Sequence, residues 1–250
     1  MAGQTHVYAG IAGTVGMDHS GHPLAGIFRQ SPGDKGWDHL KGGLPADAEV
    51  HAITVHPTDH DTIYVGSTKG LYRSANRGDK FEHLALPDAE ADIWSVLVHP
   101  KDPRRIYAGA TPVDVYRSDD AGEHWKKLPD PGLPNRVHMA FACRVMRLDV
   151  DPNEPDAIYA TMEANGAMRS RNAGESWEDC TAGLIRFCEE PKYRSRIGSQ
   201  TEIEGMLDGH ALACSAAAPH TVFLANRMGL FRSDDRVNTG PTWRSGGSRR

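Results

Sequence analysis

Histidine is abundant in this chain, 13 of 250 residues, and several histidines stand where chemistry would use them. His51, Trp94 and His210 each open an apolar run, Arg144 lies just inside a further run with His138 ahead of it, and Asp92 and Glu163 are nearby. A ring of His, Trp, Arg and His with two carboxylates suits a polar anionic or sugar-like ligand, and the same residues equally suit a solvated channel. Met17-Asp18-His19-Ser20-Gly21-His22 offers two histidines at i, i+3. Alone they lack the third ligand and outer hydrogen bonds of a metal site, so His19 and His22 count only if His51, His138 or His210 converge with them. No cofactor is expected.

The elements that position these residues are a repeat. Five segments share a strand with an aromatic in its opening pair, at Tyr8, Tyr64, Tyr107, Tyr159 and Phe223, at intervals of 56, 43, 52 and 64 residues. Nine or ten residues after the last four aromatics comes an Arg-Ser pair, at Arg73, Arg117, Arg169 and Arg232. Apolar strands ending in a proline turn lie between, as in Val55-His56-Pro57, Val98-His99-Pro100 and Val150-Asp151-Pro152.

Three corners read Ser74-Ala75-Asn76-Arg77-Gly78-Asp79-Lys80-Phe81, Ser118-Asp119-Asp120-Ala121-Gly122-Glu123-His124-Trp125 and Ser170-Arg171-Asn172-Ala173-Gly174-Glu175-Ser176-Trp177. The Asn or Asp oxygen can accept backbone N–H groups within its own turn, the glycine supplies positive φ, and the aromatic folds back onto the strands. Degraded copies stand at Phe28–Trp37 and at Ser233-Asp234-Asp235, the latter followed by three extra residues before Gly240. The pattern resembles the Asp-box of BNR-repeat β-propellers, a superfamily that includes sialidase-like and WD40/YVTN-like glycosyl hydrolases. The expected fold is all-β, a propeller of four-stranded blades with Asp-box hairpins.

About five blades are expected, in one domain over residues 1–243, with residues 244–250 a disordered basic tail. The chain opens at a second strand, leaving no inner strand for the first blade. The last fifteen residues carry four arginines and no acid. Since similar proteins often have six or seven blades, the expectation is a C-terminally truncated or frame-altered relative of a longer propeller.

A net charge of −5 without a basic run argues against nucleic acid as partner. No stretch approaches a membrane span and no leader pattern opens the chain, which predicts a cytoplasmic protein. Cys143, Cys180, Cys188 and Cys214 match no zinc spacing; Cys143 and Cys214 sit in apolar runs where small buried thiols are expected, and Cys180 and Cys188 could meet across one loop.

The resemblance places binding and catalysis on the face made by the loops within and between blades, opposite the Asp-boxes. Long insertions at residues 11–26, 130–142 and 181–209 fall there. Sialidase chemistry would need an arginine triad, a tyrosine assisted by a glutamate, and an acid. The box arginines, expected to point outward near the other face, do not supply the triad, and Tyr193 with Glu202 or Glu204 is the remaining nucleophile-base pair. The expectation is a propeller binding a small polar ligand or a protein partner, with glycoside hydrolase-like or other hydrolase or lyase activity in the central pocket as the alternative and true sialidase activity disfavoured.

Overall fold

The computed structural model describes residues 5–13, 25–238 and 243–246. They form one three-stranded and four four-stranded antiparallel sheets. The first sheet comprises β1 (Val7–Ile11), β2 (Gly26–Gln30) and β3 (Asp38–Leu40); the second, β4 (Val50–Val55), β5 (Ile63–Ser67), β6 (Gly70–Ser74) and β7 (Glu82–Leu84). The third holds β8 (Asp92–Val98), β9 (Ile106–Thr111), β10 (Asp114–Ser118) and β11 (Lys126–Lys127). The fourth holds β12 (Val145–Asp151), β13 (Glu154–Met162), β14 (Gly166–Ser170) and β15 (Glu178–Asp179). The fifth holds β16 (Gly209–Cys214), β17 (Val222–Asn226), β18 (Gly229–Ser233) and β19 (Trp243–Ser245). Each is a meander in chain order, the blade unit expected from the repeat, and the first lacks an inner strand among the described residues. Strand β19 carries the pairing through Ser245, two residues past the expected end of the domain.

The chain divides into two compact units: residues 1–98, 102–108 and 117–126, and residues 99–101, 109–116 and 127–250. In the first, Ile63, Tyr64, Val65, Leu71, Tyr72, Ile93 and Phe81 are buried; in the second, Tyr159, Leu184, Met206, Leu207, Leu224 and Phe231 are. Strand β5 is buried at every position because both of its faces are covered, which explains its unbroken apolar character.

The glycine of the Tyr-x-Gly strand has a packing role. A Cβ on Gly66 would lie 2.7 Å from Ile93 Cγ2 and 2.8 Å from its carbonyl oxygen, so the missing side chain admits β8 against β5. In the fourth sheet the repeat has Thr161 instead, and the space is provided from the other side: a Cβ on Gly209 would meet Thr161 Oγ1 at 1.8 Å.

The corners are built as their sequence predicts. Ser74 Oγ accepts from Gly78 N at 2.9 Å and donates to Asn76 Oδ1, which accepts from Lys80 N at 3.0 Å. Ser118–Gly122–Asp120–His124 and Ser170–Gly174–Asn172–Ser176 repeat this wiring. The residue before each glycine, Arg77, Ala121 or Ala173, is left-handed, with φ of 61°, 64° and 56°. The degraded last corner keeps its serine bonds, and Val237, at φ 55°, occupies the glycine position. The first copy is not wired this way: Asp34 N donates to Ser31 O and Trp37 is exposed. At Gly122, φ is +94° and an added Cβ would stand 3.3 Å from Leu84 Cδ1. Gly122→Ala is therefore expected to cost about 1–2 kcal/mol in denaturant titration.

Three of the repeated arginines correct an expectation, whereas Arg232 is exposed as expected and bonds Asp234 of its own corner. Arg29, Arg73 and Arg169 do not point outward; they turn into seams and bond the next corner. Arg29 donates to Arg77 O at 3.0 Å and to Asp79 Oδ1 at 2.7 Å, and Arg73 donates to Ala121 O at 2.8 Å and to Glu123 at 2.9 Å. Arg169, only 1% exposed, donates to Arg236 O and to Glu178. The left-handed residue presents its carbonyl sideways, out of its own ladder, and a buried guanidinium with several donors suits that acceptor and a carboxylate together.

Candidate functional site

Three inner strands begin with the same irregularity. Pairing slips between Val50 and Ala52, between Val145 and Arg147, and between Gly209 and Ala211, leaving His51, Met146 and His210 as unpaired bulge residues. A bulge re-aims the side chain of its extra residue and ends regular pairing. Two of the histidines singled out by sequence thus sit where a strand is locally broken. Two positions earlier in each copy stands Glu49, Arg144 or Asp208, and the matching position before Trp94 is Asp92.

In the first unit, His51, Asp92 and Trp94 come together. The His51 ring stacks on the Trp94 indole at 3.8 Å and 11°. His51 Nε2 lies 3.3 Å from Asp92 Oδ1, and Trp94 Nε1 donates to Asp92 Oδ2 at 2.9 Å. The His51 side chain is 2% exposed. This constellation is a rigid aromatic-acid corner, with the imidazole face occupied by the indole.

In the second unit, Arg144, Glu163 and His210 come together with two residues the sequence reading missed, Asp208 and Arg227. Arg144 Nε lies 2.5 Å from Glu163 Oε2, and its guanidinium covers the Phe141 ring at 4.8 Å. Arg144 directly precedes β12 rather than lying inside it. Arg227 Nε donates to Asp208 Oδ2 at 2.6 Å, and His210 Nε2 is 3.4 Å from the same oxygen. Burial pushes the Glu163 carboxyl above its usual range and the nearby Asp208 charge adds to this, against the pull of Arg144. Asp208 was readable from the repeat, as the equivalent of Asp92. Arg227, in the β17–β18 turn, had no such signal.

His138 stands apart, exposed, with Nδ1 3.3 Å from Asn135 Nδ2. Its chain neighbours Val137 and Met139 line a groove of about 220 Å³ with Pro112, Val113, Leu133, Asn135, Phe141, Ala142, Cys143 and Asn165, and His138 is not among the lining residues. His19 and His22 lie outside the described residues.

The tyrosine-glutamate pair is not assembled. Tyr193 packs edge-on against Phe187 at 5.3 Å, and Glu202 pairs with Arg194 and Arg196. Glu204 opens the short helix Glu204–Leu207, is buried, and accepts from Ile197 N, Gly198 N, Ser199 N and Ser199 Oγ at 2.7–3.0 Å. Burial alone would raise its pKa; these bonds outweigh burial and hold it at about 2. It is a loop clamp with its lone pairs spent.

Asp151, Glu154 and His220 bring ligand atoms within 4.8 Å of one another. Arg236 enters this cluster, donating to His220 Nδ1 at 2.7 Å and to Glu154. A guanidinium there supplies the positive charge a cation would, so the cluster reads as an ion-pair network. The turn histidines are likewise structural: His56 Nδ1 accepts from Asp59 N at 3.0 Å, and buried His99 reaches Pro155 O at 2.9 Å. All four cysteines are free, Cys180 and Cys188 included, and burial pushes the Cys180 thiol up to about 12.

Comparison with solved structures identifies the fold. An enzyme of Niastella koreensis, of the class GH74, matches with a TM-score of 0.61 and 17% identity over 88% of this chain and 34% of its own. An ancestral GH74 enzyme matches with a TM-score of 0.59 and 16% identity, over 88% and 28%. YCF48 from Cyanidioschyzon merolae gives a TM-score of 0.50 and 16% identity, over 82% and 59%. These are β-propellers, and the chain has that fold. It spans about a third of the length of the two GH74 enzymes. No curated protein sequence matches. Residues 69–238, more than half of the chain, match the family model described as sortilin, neurotensin receptor 3. The chain therefore belongs to the Sortilin-Vps10 family.

Proposed function

We propose that this chain is a binding propeller that engages a protein partner through the loops at the starts of its inner strands. The observation that carries this reading is the state of the charges in the second unit. Arg144 is set against Glu163, and Asp208 against Arg227 and His210. Groups prepaired in this way exchange partners readily with the mixed charges of a polypeptide, and they set register and specificity more than raw affinity. The family match to a receptor supports the same reading. Four free thiols fit a reducing compartment, which favours a cytoplasmic location. The overall charge of −5 favours neither nucleic acid nor an anionic surface.

A second reading draws on Glu163. A carboxyl raised by burial, with a second carboxyl group nearby in Asp208, supplies the two acids that hydrolysis of a glycosidic bond requires. The GH74 neighbours lend it analogy at the level of fold.

Panning a displayed random-peptide library on the purified chain, beside reducing-sugar release from a panel of polysaccharides, separates the two. The expected result is peptides whose affinity falls at least tenfold in Arg144→Ala and Arg227→Ala, with no turnover. Sugar release abolished by Glu163→Gln would overturn the binding reading in favour of hydrolysis. Peptides indifferent to both arginine variants would remove this charged cluster from the interface.

A further inference from the structure

The first sheet departs from the other four along one edge. In each of those an inner strand lies along the second strand, whereas among the described residues no strand lies on that edge of β1. Three of the inner strands share one register. Opposite Ile63, Ile158 and Val222 stand Val55, Val150 and Cys214. Opposite Tyr64, Tyr159 and Phe223 stand Thr54, Asp149 and Ala213, and opposite Val65, Ala160 and Leu224 stand Ile53, Leu148 and Leu212. The repeat puts Val7, Tyr8 and Ala9 at these three positions of β1. His56 N donates to Thr62 O at 2.9 Å and Ser215 N to Thr221 O at 3.0 Å, just past the ends of their inner strands. Hydrogen-bonded pairs alternate along an antiparallel ladder, so this phase turns His6 O and the N–H and C=O groups of Tyr8 and Gly10 toward the open edge.

The surroundings of that edge are apolar and open. Val7 is 48% exposed, where Ile63, Ile158 and Val222 are buried. On β4, Ile53 packs against the cluster that holds Ile27 and Leu40 of the first sheet. Two residues on, Val55 is 42% exposed, where its repeat equivalents Val98 and Val150 are buried. Inner strands also bond one another across the seams: Thr54 Oγ1 donates to Val96 O at 2.7 Å, and Asp149 Oδ2 accepts from Cys214 N at 2.7 Å. Thr54 and Asp149 share a register position, so a strand along β1 would present its residue opposite Tyr8 to the backbone of β4. The outer strands β3, β7, β11, β15 and β19 each carry charge, at Asp38, Glu82, Lys126, Glu178 and Arg244, which guards an edge against strand addition. Val7-Tyr8-Ala9-Gly10-Ile11 carries none.

We propose that the open edge of β1 receives an extended segment of a partner protein, which joins the first sheet as an antiparallel fourth strand. The three filled copies specify that segment. It has Val or a residue of similar size opposite Val7, Ile or Leu opposite Ala9, and between them a small or short polar residue that meets β4. Main-chain bonds to Tyr8 and Gly10 supply affinity, and the alternating side chains supply selectivity. This edge is separate from the charged loop cluster, so the proposal goes beyond the binding reading above and each stands without the other.

The probe is the acetylated and amidated peptide Val-His-Ala-Ile-Thr-Val-His-Pro-Thr, the sequence of residues 50–58, which carries the required register. Binding to the intact chain is read by fluorescence anisotropy, and amide exchange at Tyr8 and Gly10 by NMR. The expected result is binding that slows exchange at both amides at least tenfold. N-methylation at the peptide's threonine removes an N–H aimed at β1 and should weaken binding at least tenfold. N-methylation at its isoleucine, whose N–H points to the opposite edge, should change it less than twofold. Val7→Asp should weaken binding at least tenfold, and Arg144→Ala should leave it unchanged, which separates this site from the loop cluster. No binding, or equal loss from the two methylations, would overturn the proposal, the latter because it reports apolar adhesion without strand pairing. Slow exchange at Tyr8 and Gly10 without peptide would overturn it too: if it persists on dilution a segment of the chain itself covers the edge, and if it vanishes a second copy does.

Discussion

Replacing Arg169 by methionine is expected to cost about 3–5 kcal/mol, the largest loss from any single change considered for this chain. Arg169 is 1% exposed and bonds Arg236 O, Glu178 and Asn238. Methionine fills much of the space, so the loss isolates the hydrogen bonds: a left-handed carbonyl loses its donor and Glu178 is left with Arg171 alone as its ion-pair partner. Lysine should recover little, because a point charge on a flexible stem cannot bond the carbonyl and the carboxylate together. Arg29 and Arg73 repeat the device at more exposed seams, and Arg73→Met should cost less. Denaturant titration of the three variants, with a double-mutant cycle through Glu178→Gln, measures this. A loss below 1 kcal/mol at Arg169 would mean the seam is held by apolar packing alone.

Replacing Glu204 by glutamine is expected to release the loop 195–204. The carboxylate accepts four hydrogen bonds while buried, and glutamine offers one acceptor oxygen and turns an N–H₂ group toward donors. The folded pKa of about 2 lies below the unfolded value of 4.5, so the carboxylate contributes stability that is fully present above the unfolded value. That contribution, on the order of 3 kcal/mol, is lost as pH falls through the window from 4.5 to about 2. Glu204→Gln should therefore lose a comparable amount at neutral pH and flatten this part of the acid profile. Amide exchange at Ile197, Gly198 and Ser199 is the direct readout, with rates expected to rise at least tenfold. Unchanged exchange would show the loop to be held by its apolar neighbours.

The corners were legible because each is a local object: serine, amide or acid, left-handed residue, glycine and aromatic lie within eight consecutive positions and satisfy one another. The inner-strand ends were legible for the same reason, since the repeat aligns His51, Trp94 and His210. The role of Arg169 was not, because its acceptor lies 67 residues away and is a carbonyl, which carries no side-chain signature. Glu204 also read as a loop acid: nothing local marks a glutamate whose partners are backbone N–H groups five to seven residues upstream. Asp208 is the instructive miss, for the repeat register that picked out Asp92 contained it.

The central claim, that partners are met by the inner-strand loops and not by the serine corners, is tested most directly by hydrogen-exchange mass spectrometry of the chain with and without its tightest library peptide. The account predicts protection in residues 111–113, 133–144 and 163–166, with exchange unchanged in the corners at 74–81, 118–125 and 170–177. Protection confined to those corners would contradict it.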